Sequence, residues 1–440
     1  MKRFTAIITL QLLLLLMAFL PIQQTAAPVV KGSSGGIGAV KSGGQELAGS
    51  AVPDLPREVR AVWVVRQTMT SPEAVKQLVA RAHSVGLTDL IVQVRGRGDA
   101  YYNSSLEPRA DGLSQQPADF DPLALVIDEA HRVGIRVHAW LNTYLVADVG
   151  YLPRSPEHLI YRHPEWLMVP RGLATELYGS DPRTPEFLDR LVAFARANPT
   201  KLEGLFISPA SEEVRDQIVR LWLDIARRYD VDGLHFDYVR YPNPEYDYSR
   251  TSLAGFRREM ERMLPAGERD FLGVKADEQP LLYVNTFPEQ YAQFQRRQVS
   301  LLVERIYGQV KHVRPEIKVS AAVFANEVDA TRSRFQDWKS WLQRGWLDAV
   351  CPMAYTVDAK LYREQIANAV SLSAGREVWG GIGVYRQEVA DAREKILLNR
   401  ELGSRGFILF SYNSLIETSR TNPRGDYLEQ LRDLITAPAE

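Results

Sequence analysis

Eight times along this chain a short, apolar, β-prone run recurs, in most cases followed by a stretch with helical spacing. That alternation constrains the fold more than any other feature of the sequence. The runs fall at residues 59–65, 88–95, 135–141, 233–239, 318–324, 349–355, 378–384 and 406–412. Helical patterns lie at 71–85, 122–133, 212–229, 291–314, 335–344 and 388–402, and Gly86, Gly134 and Gly403 supply stops. Near-continuous apolar strands separated by helices describe a parallel sheet covered by those helices. Eight such units within about 380 residues predict an eight-stranded (β/α)8 TIM-type barrel. The competitor is an open, doubly wound sheet, which calls for a glycine-rich phosphate turn after an early strand. Arg95-Gly-Arg-Gly-Asp99 lacks both the third glycine and the helix that should follow it directly.

Two connections are longer than a strand-to-helix turn needs: residues 142–210 after the third strand and 242–290 after the fourth. Both leave C-terminal strand ends, so they are expected to stand over the open end of the barrel and wall a cleft suited to an extended substrate.

Composition narrows the partners. With 53 basic and 54 acidic residues the net charge is -1, so no global field favours nucleic acid. Residues 1–27 open with Met-Lys-Arg, continue through an apolar run and reach small residues at Thr25-Ala-Ala27. This is the pattern of a secretory signal peptide; an uncleaved anchor is the alternative, although the apolar core is shorter than the about 20 residues a membrane span prefers. Residues 28–56 are rich in Gly, Ser and Ala and read as a flexible linker, leaving 57–435 for the barrel. The expected location is therefore exported, periplasmic or cell-envelope associated, with no stable membrane insertion after cleavage. The single cysteine, Cys351, has no internal partner and sits in an apolar run, where a buried small hydrophobe is expected.

Chemistry concentrates in Val231-Asp-Gly-Leu-His-Phe-Asp-Tyr-Val-Arg-Tyr-Pro242, where His235, Asp237, Tyr238, Arg240 and Tyr241 gather at the end of an apolar strand. Polar side chains at a C-terminal strand end point to an open site there. Alternate strand residues share a face, which pairs His235 with Asp237, Gln93 with Arg95, His138 with Trp140 and Asn142, Met353 with Tyr355, and Gly383 with Tyr385. Aromatic faces stack on sugar rings, while amides and carboxylates bond hydroxyls, so this mixture fits a carbohydrate cleft. The candidate substrate-binding residues are Arg95, Asp99, Tyr101, Trp140, Asn142, His235, Arg240, Tyr355, Tyr385 and Tyr412.

Glycosidic cleavage needs an acid and a second carboxylate about 5 to 9.5 Å apart. Asp237 is the first candidate and Glu327, just past the fifth strand, the second; Asp99 ranks third. The plainer alternatives are an Asp237 that pairs with Arg240 or caps a turn, a solvated Glu327, and a turn-forming Asp99. His235 is expected to hold the carboxylate or a substrate hydroxyl, with metal ligation as its alternative. Trp222, Trp338 and Trp341 have helical spacing and are expected in the core. No His-Glu-x-x-His, Walker loop or Gly-x-Ser-x-Gly elbow occurs, and one cysteine cannot hold an iron-sulfur cluster. Neither cofactor nor metal is expected.

At these residues the chain resembles the bacterial glycosyl-hydrolase-like family (glycoside hydrolase family 10-like domain) that includes the divisome-localised glycosyl hydrolase. The resemblance rests on Glu58-Val-Arg-Ala-Val-Trp63, Gln93-Val-Arg-Gly-Arg-Gly-Asp-Ala-Tyr-Tyr102, His138-Ala-Trp-Leu-Asn142, His163-Pro-Glu-Trp166 and Ser208-Pro209. It continues through Val231 to Asp237, Lys318-Val-Ser-Ala-Ala, and Asp348-Ala-Val-Cys-Pro-Met-Ala-Tyr355. It implies an α/β barrel, a periplasmic or surface location and hydrolysis of a glycan, with peptidoglycan strands lacking stem peptides as the best-known substrate class. It also implies that Asp237 is the carboxylate ending the family's fourth strand, and that Arg95, Asp99, Trp140, Asn142 and Tyr355 are barrel-mouth residues. The chain departs from the family at Tyr238, where many members carry a second Asp, and Glu327 matches no family motif.

Three readings follow: an exported glycoside hydrolase, a carbohydrate-binding envelope protein on a hydrolase-like barrel, and a barrel acting on other small molecules.

Overall fold

The computed structural model describes residues 58–200 and 202–437; the signal and linker expected over 1–56 lie outside the described residues. Eight parallel strands close into a barrel. In chain order the ten strands are β1 (Val59–Val64), β2 (Asp89–Arg95), β3 (Arg136–Asn142), β4 (Leu145–Ala147), β5 (Leu205–Phe206), β6 (Gly233–Asp237), β7 (Lys318–Val323), β8 (Ala349–Pro352), β9 (Glu377–Gly383) and β10 (Gly406–Phe410). Around the barrel the order is β1-β10-β9-β8-β7-β6-β3-β2, while β4 and β5 form a separate antiparallel pair. The predicted barrel and all eight predicted strands are present.

Helices α1 (Pro72–Ser84), α2 (Pro122–Arg132), α3 (Glu212–Arg228), α4 (Pro288–Val313), α5 (Trp338–Gln343), α6 (Ala359–Ser371) and α7 (Val389–Glu401) follow successive barrel strands. Their starts are chemically marked: Ser71, Asp121 and Ser211 each accept a backbone N–H from the first turn. Helix α4 begins a turn earlier than predicted, with proline at its first position. Helix α5 is shorter than predicted, since Phe335 takes a left-handed conformation (φ 54°) ahead of it. Helix α6 went unpredicted.

Alternate strand residues divide two cores. Outward-facing residues such as Val62, Leu90, Val137, Phe236, Val319 and Leu409 pack beneath the helices, where Trp222, Trp338 and Trp341 are also buried as expected. Inward-facing Ala61, Trp63, Ile91, Trp140, Ala322, Cys351, Trp379 and Ile408 fill the barrel, so its interior is a packed core rather than a channel. Glycine makes room for the large rings: a Cβ on Gly233 would stand 1.9 Å from His138 Nδ1, and one on Gly381 would stand 3.3 Å from the Trp63 ring.

Both long connections are folded. The first carries β4, β5 and a helix at Pro185–Ala197; the second carries helices at Arg250–Met263, Ala266–Ala276 and Leu282–Thr286. The second has its own apolar cluster, built on Leu253, Phe256, Met260, Tyr283, Tyr291 and Phe294. Among the described residues, no helix is long and apolar enough to cross a membrane.

Candidate active site

Strand β6 presents Gly233, His235 and Asp237 to the barrel interior, and its register sets them beside His138, Trp140 and Asn142 of β3. Each pair marks one level. His138 lies at the bottom, with Nε2 3.0 Å from Asp89 Oδ1; His235 is in the middle and Asp237 at the mouth.

Burial raises the pKa of Asp237 above the ordinary carboxylate value; Arg240 and the Tyr238 N–H pull the other way, and the charge of Glu203 adds to the rise. Its Oδ1 accepts from Tyr238 N at 2.6 Å and from Arg240 Nη1 at 3.1 Å. Its Oδ2 accepts no hydrogen bond from the described residues. Donors therefore occupy one oxygen and leave the other open to the mouth. Tyr238, in a left-handed conformation (φ 50°), turns the chain so that Arg240 comes back over the site, its guanidinium carbon 4.1 Å from the Tyr238 ring centroid. Both plain alternatives for Asp237, an ion pair and a turn contact, are thus realised on Oδ1, and Oδ2 is left over.

Beside Asp237 runs a chain of side-chain contacts. Arg66 Nη1 donates to Gln93 Oε1 at 2.9 Å, Gln93 Nε2 to Asn142 Oδ1 at 3.3 Å, and Trp140 Nε1 to the same oxygen at 3.0 Å. Asn142 Nδ2 closes the set on the Gly96 carbonyl at 2.8 Å. Opposite stands an aromatic wall: Tyr355 stacks on Phe410 with centroids 5.3 Å apart and meets Trp63 and Tyr385 edge-on, each at 6.1 Å. The negative charge of Asp237 reaches Tyr355, whose hydroxyl has no hydrogen-bond partner among the described residues. Tyr101 and Asp99 lie at the rim near Arg66; Tyr101 is pushed up to about 12 by burial, and Asp99 accepts the Arg97 N–H at 2.8 Å as a turn residue.

Four sequence expectations need correction. Arg95 does not line the mouth, because the register of β2 on β3 shifts between Gln93 and Arg95. That irregularity breaks the alternation and turns the guanidinium outward, onto Glu107 at 2.6 Å and the carbonyls of Asn142 and Thr143. His235 does not touch Asp237; its nitrogens meet Trp63 Nε1 at 3.1 Å and Ser320 Oγ at 2.8 Å. Tyr412 begins a short helix in the outer core, near the charges of Arg81 and Glu429. Glu327 opens a helix after β7 and accepts from its own Thr331 at 3.4 Å; no described interaction joins it to Asp237.

Sequence reasoning missed two mouth residues. Arg66 sits on a 3-10 turn after β1, and Glu203 precedes β5 with Oε2 3.9 Å from Arg240 Nη2. Neither lies on a periodic segment. Among the described residues, no group of three or more His, Cys, Asp or Glu side chains could hold a metal.

A parallel (β/α)8 barrel with a carboxyl group and an aromatic wall at the C-terminal strand ends is an architecture of the glycoside-hydrolase type. Solved structures of similar fold include an α-L-fucosidase isoenzyme from Paenibacillus thiaminolyticus (TM-score 0.53, 15% identity, 86% of this chain and 49% of that one). They also include the β-amylase catalytic domain from Paenibacillus polymyxa (TM-score 0.53, 11% identity, 85% and 96%). The chain belongs to the glycosyl hydrolase-like 10 family, whose pattern matches residues 58–386, as the motifs implied. Relatives include glycosyl hydrolase YngK of Bacillus subtilis, 23% identical over 87% of this chain and 73% of its own length. Glycosyl hydrolase DigH of Escherichia coli K12 is 23% identical over 62% of this chain, which spans about half of that protein (55%).

Proposed function

We propose that the protein is an exported glycoside hydrolase that cleaves a glycan, with peptidoglycan strands lacking stem peptides as its substrate class. The observation that carries this reading is the Asp237 Oδ2 atom. It is an unpartnered carboxyl oxygen at the barrel mouth, raised in pKa by burial and faced by Tyr355. A carboxyl group protonated above the ordinary range can give its proton to a glycosidic oxygen as the bond to C1 breaks. The wall of Tyr355, Tyr385 and Phe410, backed by the buried Trp63 ring, supplies the faces on which sugar rings stack, and the two folded connections leave the strand ends that bound the cleft. Family membership supports the glycan, and the amino-terminal pattern supports export.

The experiment is a release assay. Purified protein and its Asp237→Asn variant are incubated with peptidoglycan, with and without prior removal of stem peptides, and soluble glycan fragments are measured. Product from wild type on stripped strands, and none from the variant, is the expected result. A second reading, a glycan-binding protein without turnover, draws on the position of Glu327, which does not meet Asp237. Sacculus binding by both proteins with no product from either would establish it.

A further inference from the structure

We infer that Glu203, carried ahead of β5 by the first long connection, is the second carboxylate of the site and acts as the base opposite Asp237. The inference rests on the hydrolase reading above. Glu203 and Asp237 share one guanidinium: Arg240 Nη1 is 3.1 Å from Asp237 Oδ1, and its Nη2 is 3.9 Å from Glu203 Oε2. Two carboxylates on one guanidinium have their nearer oxygens no more than about 9 Å apart, within the about 9.5 Å limit for a glycosidase pair. The charge of Glu203 reaches Asp237, Tyr238, Arg240 and Arg334, which places it over the mouth rather than on the outer wall.

The backbone fixes this position. Strand β5 pairs antiparallel with β4 through Leu145–Phe206 and Ala147–Leu205, and Leu202 and Leu205 are buried on either side. A Cβ on Gly204 would stand 2.0 Å from the Ala147 carbonyl oxygen, so only glycine lets the chain close onto β4 directly after Glu203. The Glu203 side chain is 30% exposed, against 10% for Asp237. Other carboxylates near the rim are committed to local turns: Asp99 to the Arg97 N–H and Asp148 to the Gly150 N–H. Glu203 accepts no hydrogen bond from the described residues and is free to accept one from water.

In the step this pair performs, the Asp237 proton moves to the glycosidic oxygen. The C1–O bond breaks with its electron pair going to that oxygen, and the leaving chain departs as an alcohol. Water adds to C1 from the opposite face and passes a proton to Glu203. One water is consumed, one reducing end forms, and solvent returns the proton from Glu203 to Asp237.

The test uses the full chain on stripped glycan strands, with Glu203→Gln, Glu203→Asp and Glu203→Ala, the last with and without sodium azide. Glu203→Gln is expected to lose on the order of 10²- to 10⁴-fold in turnover while binding glycan and melting like wild type. Azide is expected to restore Glu203→Ala with formation of a glycosyl azide, a signature that a group merely positioning Arg240 would not give. An active wild type with Glu203→Gln within tenfold of it, or a Glu203→Ala variant that azide leaves unrescued, would overturn the role of Glu203 alone. A wild type that releases nothing overturns the hydrolase reading and this assignment together.

Discussion

Trp63 and His235 lock one another across the barrel: the indole N–H donates to His235 Nε2 at 3.1 Å. An indole nitrogen can only donate, so the imidazole proton sits on Nδ1, 2.8 Å from Ser320 Oγ. Burial, with a smaller contribution from His138, lowers the His235 pKa to about 3. The ring is a neutral structural link one level below Asp237, and both nitrogens are occupied.

That link makes stability pH-dependent. The unfolded chain takes up a proton at this histidine near 6.5, its ordinary value, and the folded chain only near 3. The unfolded state thus binds more protons in that window, and stability falls as pH drops through it, by at most about 1.4 kcal/mol per pH unit. Denaturant titrations from pH 7 to 3 should show this component in wild type and lose it in His235→Gln. Nitrogen shifts of the ring should report the Nδ1–H tautomer in the folded protein at pH 7.

At Asp237 the sign is opposite in origin. Its folded pKa lies above the unfolded value of 3.8, so its contribution to stability is fully present below that value and lost as pH rises through the folded pKa. Asp237→Asn should therefore melt higher than wild type at pH 7, with the gain vanishing below about pH 3. Calorimetry at the two pH values decides it; a variant that melts lower at pH 7 would show that the Arg240 pair outweighs burial.

Arg95 and Glu107 form a buried ion pair with side chains 2% and 3% exposed. Breaking such a pair leaves an uncompensated charge and costs about 3–5 kcal/mol. Glu107→Gln should lose stability on that scale in urea titration. KM for glycan should stay unchanged under conditions where the variant remains folded, which separates a structural role from a substrate-binding one.

Two of the four tyrosines proposed from sequence as ligands should part company. Tyr355→Phe removes an unpartnered hydroxyl beside Asp237 and is expected to weaken glycan binding about tenfold, the worth of one hydrogen bond of about 1.4 kcal/mol. Tyr412→Phe alters the outer core and should leave binding unchanged. Sedimentation of each variant with stripped glycan measures both.

The barrel was legible because burial on two faces leaves a simple trace, an apolar run ended by glycine or a polar cluster, and eight such traces in order admit few architectures. Asp237 was legible for the same reason, since a carboxylate ending an apolar strand has few plain explanations. Arg95 was misread because parity counts residues and cannot see a register shift. Glu327 was favoured because it follows a barrel strand, whereas Glu203 is brought to Arg240 by a short antiparallel pair without sequence period. Arg66 escaped notice because a 3-10 turn carries no repeat. What lies on periodic backbone could be read from the chain; what irregular backbone delivers required coordinates.

The register shift in β2 also bears on how this strand tolerates gain or loss of sequence. Between Gln93, opposite Trp140, and Arg95, opposite Leu141, Val94 is surplus to the ladder. An in-frame deletion of Val94 would straighten the strand and keep Arg95 on Glu107. Deleting Arg95's neighbour on the other side, Gly96, would leave the irregularity in place and shorten the rim loop instead. Val94 is surplus only to the ladder: its side chain is buried in the outer core and its carbonyl accepts the Tyr101 N–H at 2.9 Å, so a deletion there would keep the inside and outside of the barrel and give up that packing and that rim contact.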